Sequence, residues 1–241
     1  MNIHKQVTTT ALLLMLFATI GAALVGFIYD HTYETIKQNE RQALLNQLNN
    51  IVPASHYDNA LLEDSFELAP DPLLGTTEPI AAYRAKKQGE TIAVIFPAIA
   101  PNGYNGSIHL LVGIYRDGTV AGVRVIRHRE TPGLGDAIEA SRSDWITHFA
   151  GKSLGQPPGK QWKVKRDGGQ FDQFTGATIT PRAVVKSVHS ALLYFAANKK
   201  ILLKDEVVDK GAKDEKDVDA KDSHEEQKDA GSSSNTDESG S

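Results

Sequence analysis

The chain contains no cysteine. Disulfides, iron–sulfur clusters and thiolate zinc sites are therefore excluded within it, and any redox chemistry must come from a cofactor that needs no sulfur ligand. Aromatic residues are scarce, 7% of 241 positions, and no basic patch carries interleaved aromatics, which argues against nucleic acid as a partner. No nucleophile–base pair and no paired carboxylates are arranged for substrate turnover, so no catalytic residues are expected. His128 has no second ligand at a metal-like spacing, so no metal site is expected either. The modest formal charge of −4 hides an uneven distribution. Residues 204–241 hold 13 acidic and 6 basic residues, a net of −7, and the remainder is near +3.

What is present begins with an uncharged run, Val7 to Tyr29. As a helix it spans roughly 34 Å, slightly more than a bilayer core of about 30 Å. A cleaved signal peptide is the rival reading, but the apolar run is too long and its small-residue cleavage site is poor. The run is read as a single membrane anchor. Lys5 and the amino terminus precede it and Asp30 and Glu34 follow. That asymmetry favours a cytoplasmic N-terminus, with the bulk of the chain outside the inner membrane, in the periplasm.

Residues 31–52 repeat Leu44, Leu45, Leu48, Ile51 and Val52 at helical spacing and predict a stalk helix stopped by Pro53. Residues 54–85 have no clear period and are assigned to loops and short helices. The stretch Thr91–Ala98 reads as a strand. Two more, Ser107–Tyr115 and Thr119–Arg127, flank Arg116-Asp117-Gly118, a strong hairpin signal. A helix is expected over Ile138–Phe149 with Trp145, Ile146 and Phe149 inward, and a strand over Gln161–Lys165. Residues 181–198 form the clearest soluble helix, with Val184, Val188, Ala191, Leu192 and Phe195 on one stripe. Beyond Leu203 the chain is too polar to offset ordering entropy and should be disordered. The expected fold class is α+β, a small antiparallel sheet flanked by helices on one N-terminal transmembrane helix. The divisions are 1–6, the cytoplasmic end; 7–29, the anchor; 30–85, stalk and connection; 86–203, the main domain; and 204–241, the acidic tail.

One segment carries a candidate site: Asp172-Gln173-Phe174-Thr175-Gly176-Ala177-Thr178-Ile179-Thr180-Pro181. Thr180 suits an N-cap and Pro181 the first helical position. Helix-start donors favour an anion by about 0.3–1 kcal/mol. Gly176 and Ala177 let a bulky ligand approach the backbone, Thr175, Thr178 and Thr180 add hydroxyls, and Arg182 can contact a phosphate. The residues alone fit a phosphate cradle, and they also fit an ordinary helix cap.

The pattern Asp172-x-x-x-Gly176-Ala177-Thr178-x-Thr180 resembles the flavinylation motif of the FMN-binding domain. That domain occurs in the G subunit of the Rnf complex and the C subunit of the sodium-translocating NADH:quinone reductase. The resemblance implies FMN, taken from FAD and joined by a flavin transferase to Thr180 through a phosphoester, with Asp172 serving transferase recognition. It runs from about residue 5 to 203, and the single anchor and modest size favour the Rnf-type G subunit. The implied partners are the other subunits of a membrane redox complex. Such a complex couples ferredoxin–NAD electron flow to ion transport, or, in a related complex, keeps a redox-sensing transcription factor reduced.

A second stretch, Arg127 to Glu139, includes Glu130-Thr131-Pro132-Gly133-Leu134-Gly135. Pro132-Gly133 fits the middle of a type II turn. Ile138 stands where a dinucleotide fingerprint needs its third glycine, so a Rossmann site is rejected. The stretch resembles the segment lining the flavin pocket in the same family. That implies contacts from Glu130, Thr131, Gly133 and Leu134; on the simpler reading, Glu130 and His128 merely hold the loop. Tyr104, in a glycine-rich turn, either touches the flavin or covers the core. Two further readings stand beside the electron carrier: a non-redox anchored scaffold, and a stand-alone reductase, for which no second domain is long enough.

Overall fold

The computed structural model describes residues 3–204. Of the tail expected to be disordered, 204–241, residues 205–241 lie outside the described residues. Helix α1 (Ile3–Asn49) is continuous, so the expected anchor and stalk are one helix. From Val7 to Tyr29 every side chain is exposed, and among the described residues this is the one helix long and apolar enough to cross a membrane. The helix ends before Pro53, with the Val52 N–H closing back on the Leu48 carbonyl at 2.9 Å.

Five antiparallel strands follow in sequence order: β1 (Ser65–Leu68), β2 (Ile80–Lys87), β3 (Glu90–Gly103), β4 (Gly106–Tyr115) and β5 (Val120–Arg127). The Asp117-Gly118 turn forms as expected. Gly118 has φ +98°, and Asp117 Oδ1 accepts the N–H of Thr119 at 2.8 Å and its hydroxyl at 2.7 Å. Strands β1 and β2 correct the loops expected over 54–85, so the sheet begins before residue 86. β1 has only four residues on the sheet edge, and in β2 alanines and a buried arginine replace the usual branched apolar residues.

Alternation along β3 gives the sheet two covered faces. Val94, Phe96, Ala98 and Ala100 join Leu110, Val112 and Ile114 under helix α2 (Ile179–Leu202), which buries Val184, Val188, Ala191, Leu192 and Phe195 as its stripe predicts. Ala93, Ile95 and Leu111 face the other way and receive Leu48, Ile51 and Val52 from the end of α1. Here Gly113 and Gly122, opposite each other in register, leave the notch that Ile51 fills; a Cβ on Gly113 would overlap its side chain. Arg84 ties β2 to the far end of α2. Its Nε donates to the Leu202 carbonyl at 2.9 Å, and its guanidinium lies 3.6 Å from the Phe66 ring centroid. A cation there complements the helix C-terminus.

Between β5 and α2 the chain runs through 3-10 turns, which corrects two further expectations. The helix over 138–149 is two short turns, Gly135–Ile138 and Trp145–Phe149, although Trp145, Ile146 and Phe149 are buried as expected. Ser143 breaks it: its hydroxyl donates to the Ala137 carbonyl at 2.6 Å and accepts the Trp145 N–H at 3.2 Å, replacing helical partners. Over 161–165 there is no strand. Gly168, at φ +81°, turns the chain back after a single bridge between Val164 and Phe171.

Candidate functional site

Three segments converge on one cavity of about 290 Å3. The β3–β4 turn brings Tyr104; the loop after β5 brings Glu130, Thr131, Leu134 and Gly135; the entry to α2 brings Gly176, Ala177, Thr178, Ile179 and Thr180. Each segment has a local reason for its path. Gly133 has φ +78° and the Leu134 N–H closes on the Thr131 carbonyl at 3.1 Å, the type II turn read from Pro132-Gly133. Gly176 has φ +82° and the Ala177 N–H returns to the Phe174 carbonyl at 3.2 Å, so the chain enters α2 from a tight turn.

That entry corrects the expected cap. The helix begins at Ile179, Thr178 precedes it without a side-chain cap bond, and Thr180 is already inside the first turn. Its side chain is fully buried, and its hydroxyl donates to Glu130 Oε2. Pro181 still fits, because first-turn N–H groups have no partner within the helix.

Glu130 is the centre of the arrangement. Only 4% exposed, it accepts the N–H of Asn105 on Oε1 at 3.0 Å and the N–H of Tyr104 on Oε2 at 3.3 Å, in addition to Thr180. Two glycines make room for it. A Cβ on Gly103 would come within 2.9 Å of Glu130 Oε1, and one on Gly135 within 2.8 Å of Glu130 Cβ and 3.0 Å of Thr180 Oγ. Behind it, His128 Nδ1 accepts the Glu130 N–H at 3.0 Å while Nε2 meets Glu139 at 2.6 Å. An accepting Nδ1 places the ring proton on Nε2. The hydrogen bond from His128 holds the Glu139 carboxyl below its ordinary range. His128 thus braces the loop, and among the described residues no group of metal ligands assembles.

Of the expected contacts, Thr180, Gly176, Ala177, Thr178, Glu130, Thr131 and Leu134 line the cavity, whereas Thr175 and Gly133 do not. Gly133 acts by aiming Leu134. Arg182 does not reach the cavity either: it forms two hydrogen bonds of 2.6 Å to Asp167. Asp172 lies in a separate surface hollow, paired with Lys165 at 2.6 Å, and its carbonyl accepts the Trp145 indole N–H at 2.8 Å. Gly135 and Ile179 line the cavity without having been expected there; the two-glycine spacing marks Gly135 as a place needing room. The mouth is apolar and open. Tyr104 is 64% exposed, Leu134 43% and Ile179 46%, so Tyr104 does not cover the core. Glu130 is the one charged residue lining the cavity among the described residues.

Comparison with known proteins places this site in a family. Residues 103–193 match the FMN-binding domain and residues 1–51 the RnfG N-terminal region. A protein of Pseudomonas aeruginosa (strain UCBPP-PA14) is 48% identical over 200 residues, covering 83% of this chain and 94% of its own. One of Shewanella piezotolerans is 46% identical over 199 residues (83% and 94%), and one of Vibrio cholerae 48% over 183 (76% and 87%). Each of these relatives is named as the G subunit of an ion-translocating oxidoreductase complex. With a matching N-terminal region, an FMN-binding domain and relatives of nearly full coverage, the chain belongs to the family of ion-translocating oxidoreductase complex G subunits.

Proposed function

We propose that this chain is an electron-carrier subunit of a bacterial ion-translocating oxidoreductase complex, bearing FMN esterified to Thr180. The carrying observation is the position of Thr180 Oγ in the wall of a cavity that offers no cation to a phosphate. Held by charge alone, a phosphate there would meet Glu130 and gain only the helix start, worth about 0.3–1 kcal/mol. A covalent bond removes the need for charge and keeps the cofactor at high local concentration.

The cavity, close to the lower end of the roughly 300–1,000 Å3 usual for ligand pockets, suits the phosphate and ribityl end better than a whole flavin. Thr131 and Thr178 offer hydroxyls to that chain. Tyr104, Leu134 and Ile179 give the ring system an apolar seat at the mouth, where a partner subunit can approach it. FMN, when bound, supplies one- and two-electron chemistry, and the protein orients and shields it. No catalytic residue is needed for such a relay.

The complex lies in the inner membrane on this reading. The chain crosses once, with Lys5 on the cytoplasmic side and residues beyond Asp30 in the periplasm. A flavin transferase is a partner during maturation, and Asp172, exposed and outside the cavity, belongs to the surface it recognises. Acid precipitation of the protein purified from cells with an active transferase tests the cofactor assignment. Yellow colour stays in the pellet if the bond is covalent; flavin released to the supernatant refutes the ester, and a colourless protein refutes the carrier.

A further inference from the structure

Glu130 does more than pin a turn. Its carboxylate accepts three hydrogen bonds, two from backbone N–H groups of the β3–β4 turn and one from the Thr180 hydroxyl, and no cation stands against it in the cavity. The groups facing it are few. From the β3–β4 turn come Tyr104 and Asn105; from its own loop Thr131 and Gly135, with His128 engaged on its main-chain N–H; from α2 Thr178 and Thr180. A buried carboxylate already bonded to the one hydroxyl that has to lose a proton is placed as a general base, within hydrogen-bond reach of the proton it takes.

We propose that Glu130 is the proton acceptor in the attachment of the flavin phosphate to Thr180, an inference that rests on the covalent reading above. The co-reactant is a flavin dinucleotide held by the transferase. Thr180 Oγ attacks the phosphorus on the flavin side of the pyrophosphate, and the Oγ–P bond forms. The bond from that phosphorus to the bridging oxygen breaks, and a nucleoside monophosphate leaves with the electron pair. The Oγ proton passes to Glu130 Oε2. No electrons change hands and no other reactant is required. The acceptor protein therefore supplies a catalytic residue for its own modification. Access is the remaining requirement. Thr180 lines the open cavity but has no exposed surface of its own, so the walls around its hydroxyl must loosen for the phosphorus to reach it, while the turn donors keep Glu130 in place.

The test is the rate of flavin incorporation into the full chain by a purified transferase supplied with FAD. Wild type, Glu130→Gln and Glu130→Asp are compared after thermal melting establishes that each is folded. Incorporation is followed by in-gel fluorescence and intact mass. Glu130→Gln, which keeps the shape but cannot take the proton, is expected to be slower by about 100-fold or more. Glu130→Asp is expected to recover part of the rate. A glutamine variant modified at the wild-type rate overturns the inference and leaves the covalent reading standing. A wild type that an active transferase fails to modify overturns both. If Glu130→Gln does not fold, Glu130→Asp decides. A folded aspartate variant slower than wild type, its carboxylate drawn back from Thr180, supports the base; one modified at the wild-type rate refutes it.

Discussion

Glu130 and Thr180, 50 positions apart, meet inside the domain through one hydrogen bond from hydroxyl to carboxylate. The bond joins the loop after β5 to the first turn of α2, and the β3–β4 turn is tied to the same carboxylate. Three segments thus share one buried acid, which ties together the walls of the cavity they enclose.

Gly135 lies where a side chain would strike both partners. Gly135→Ala is expected to push Glu130 and Thr180 apart, with a loss of about 1–3 kcal/mol from overpacking and little covalent flavin. Chemical denaturation and flavin fluorescence of the denatured protein check it. Wild-type stability together with full flavin loading would show that the contact is dispensable.

On the opposite face, Ile51 occupies the notch left by Gly113 and Gly122 and is 2% exposed. Ile51→Ala should cost about 2–5 kcal/mol and free the end of α1 for proteolysis, while flavin attachment to the folded protein continues. Limited digestion compares the two. An unchanged cleavage pattern and melting temperature would mean that α1 is held elsewhere.

Much of this architecture is legible in the sequence where local chemistry dominates. The anchor is a long uncharged run, β4 and β5 flank an Asp-Gly turn, and α2 carries one apolar stripe. β1 and β2 are not legible, because pairing of β2 with β3 and of β1 with β2 stabilises them more than their own composition does. The site divides the same way. Thr180, Thr178 and Gly176 stand in a contiguous motif, and Glu130 in a second one. That the two motifs meet at a single oxygen is a tertiary fact no local pattern carries. Thr180 itself reads as a cap because Thr-Pro imitates a helix start. The turn at Gly176 instead starts the helix at Ile179 and carries Thr180 into its buried side.

Two histidines predict acid sensitivity. Burial lowers the His189 imidazole, stacked on Trp162 with centroids 5.3 Å apart; burial, and then Arg127, lowers His109. Their folded-state values lie below the roughly 6.5 of an unfolded histidine, so both states are neutral above it and stability is complete there. As pH falls below about 6.5 the unfolded chain takes protons first, and stability declines until the folded histidines also titrate. The lowered carboxyls of Asp64 and Glu139 act only further down, near about 4. Melting temperature should fall between neutral and mildly acidic pH, and His189→Gln should flatten part of the fall. A flat wild-type curve would contradict this.

The absence of cysteine allows a clean topology measurement. Lys160 is exposed, so Lys160→Cys introduces a single thiol. A membrane-impermeant maleimide should label it in intact spheroplasts. Labelling only after lysis would place the domain in the cytoplasm.

Covalent attachment of FMN at Thr180 is decided by a denaturing gel viewed under ultraviolet light. Full-length wild type is run beside Thr180→Ala, each expressed with a flavin transferase, and the melting temperature of each is measured. The expected result is a fluorescent wild-type band and a dark, folded Thr180→Ala, destabilised by about 1–3 kcal/mol through the lost bond to Glu130. A fluorescent Thr180→Ala band, or a dark wild type with a transferase active on a control protein, would contradict it.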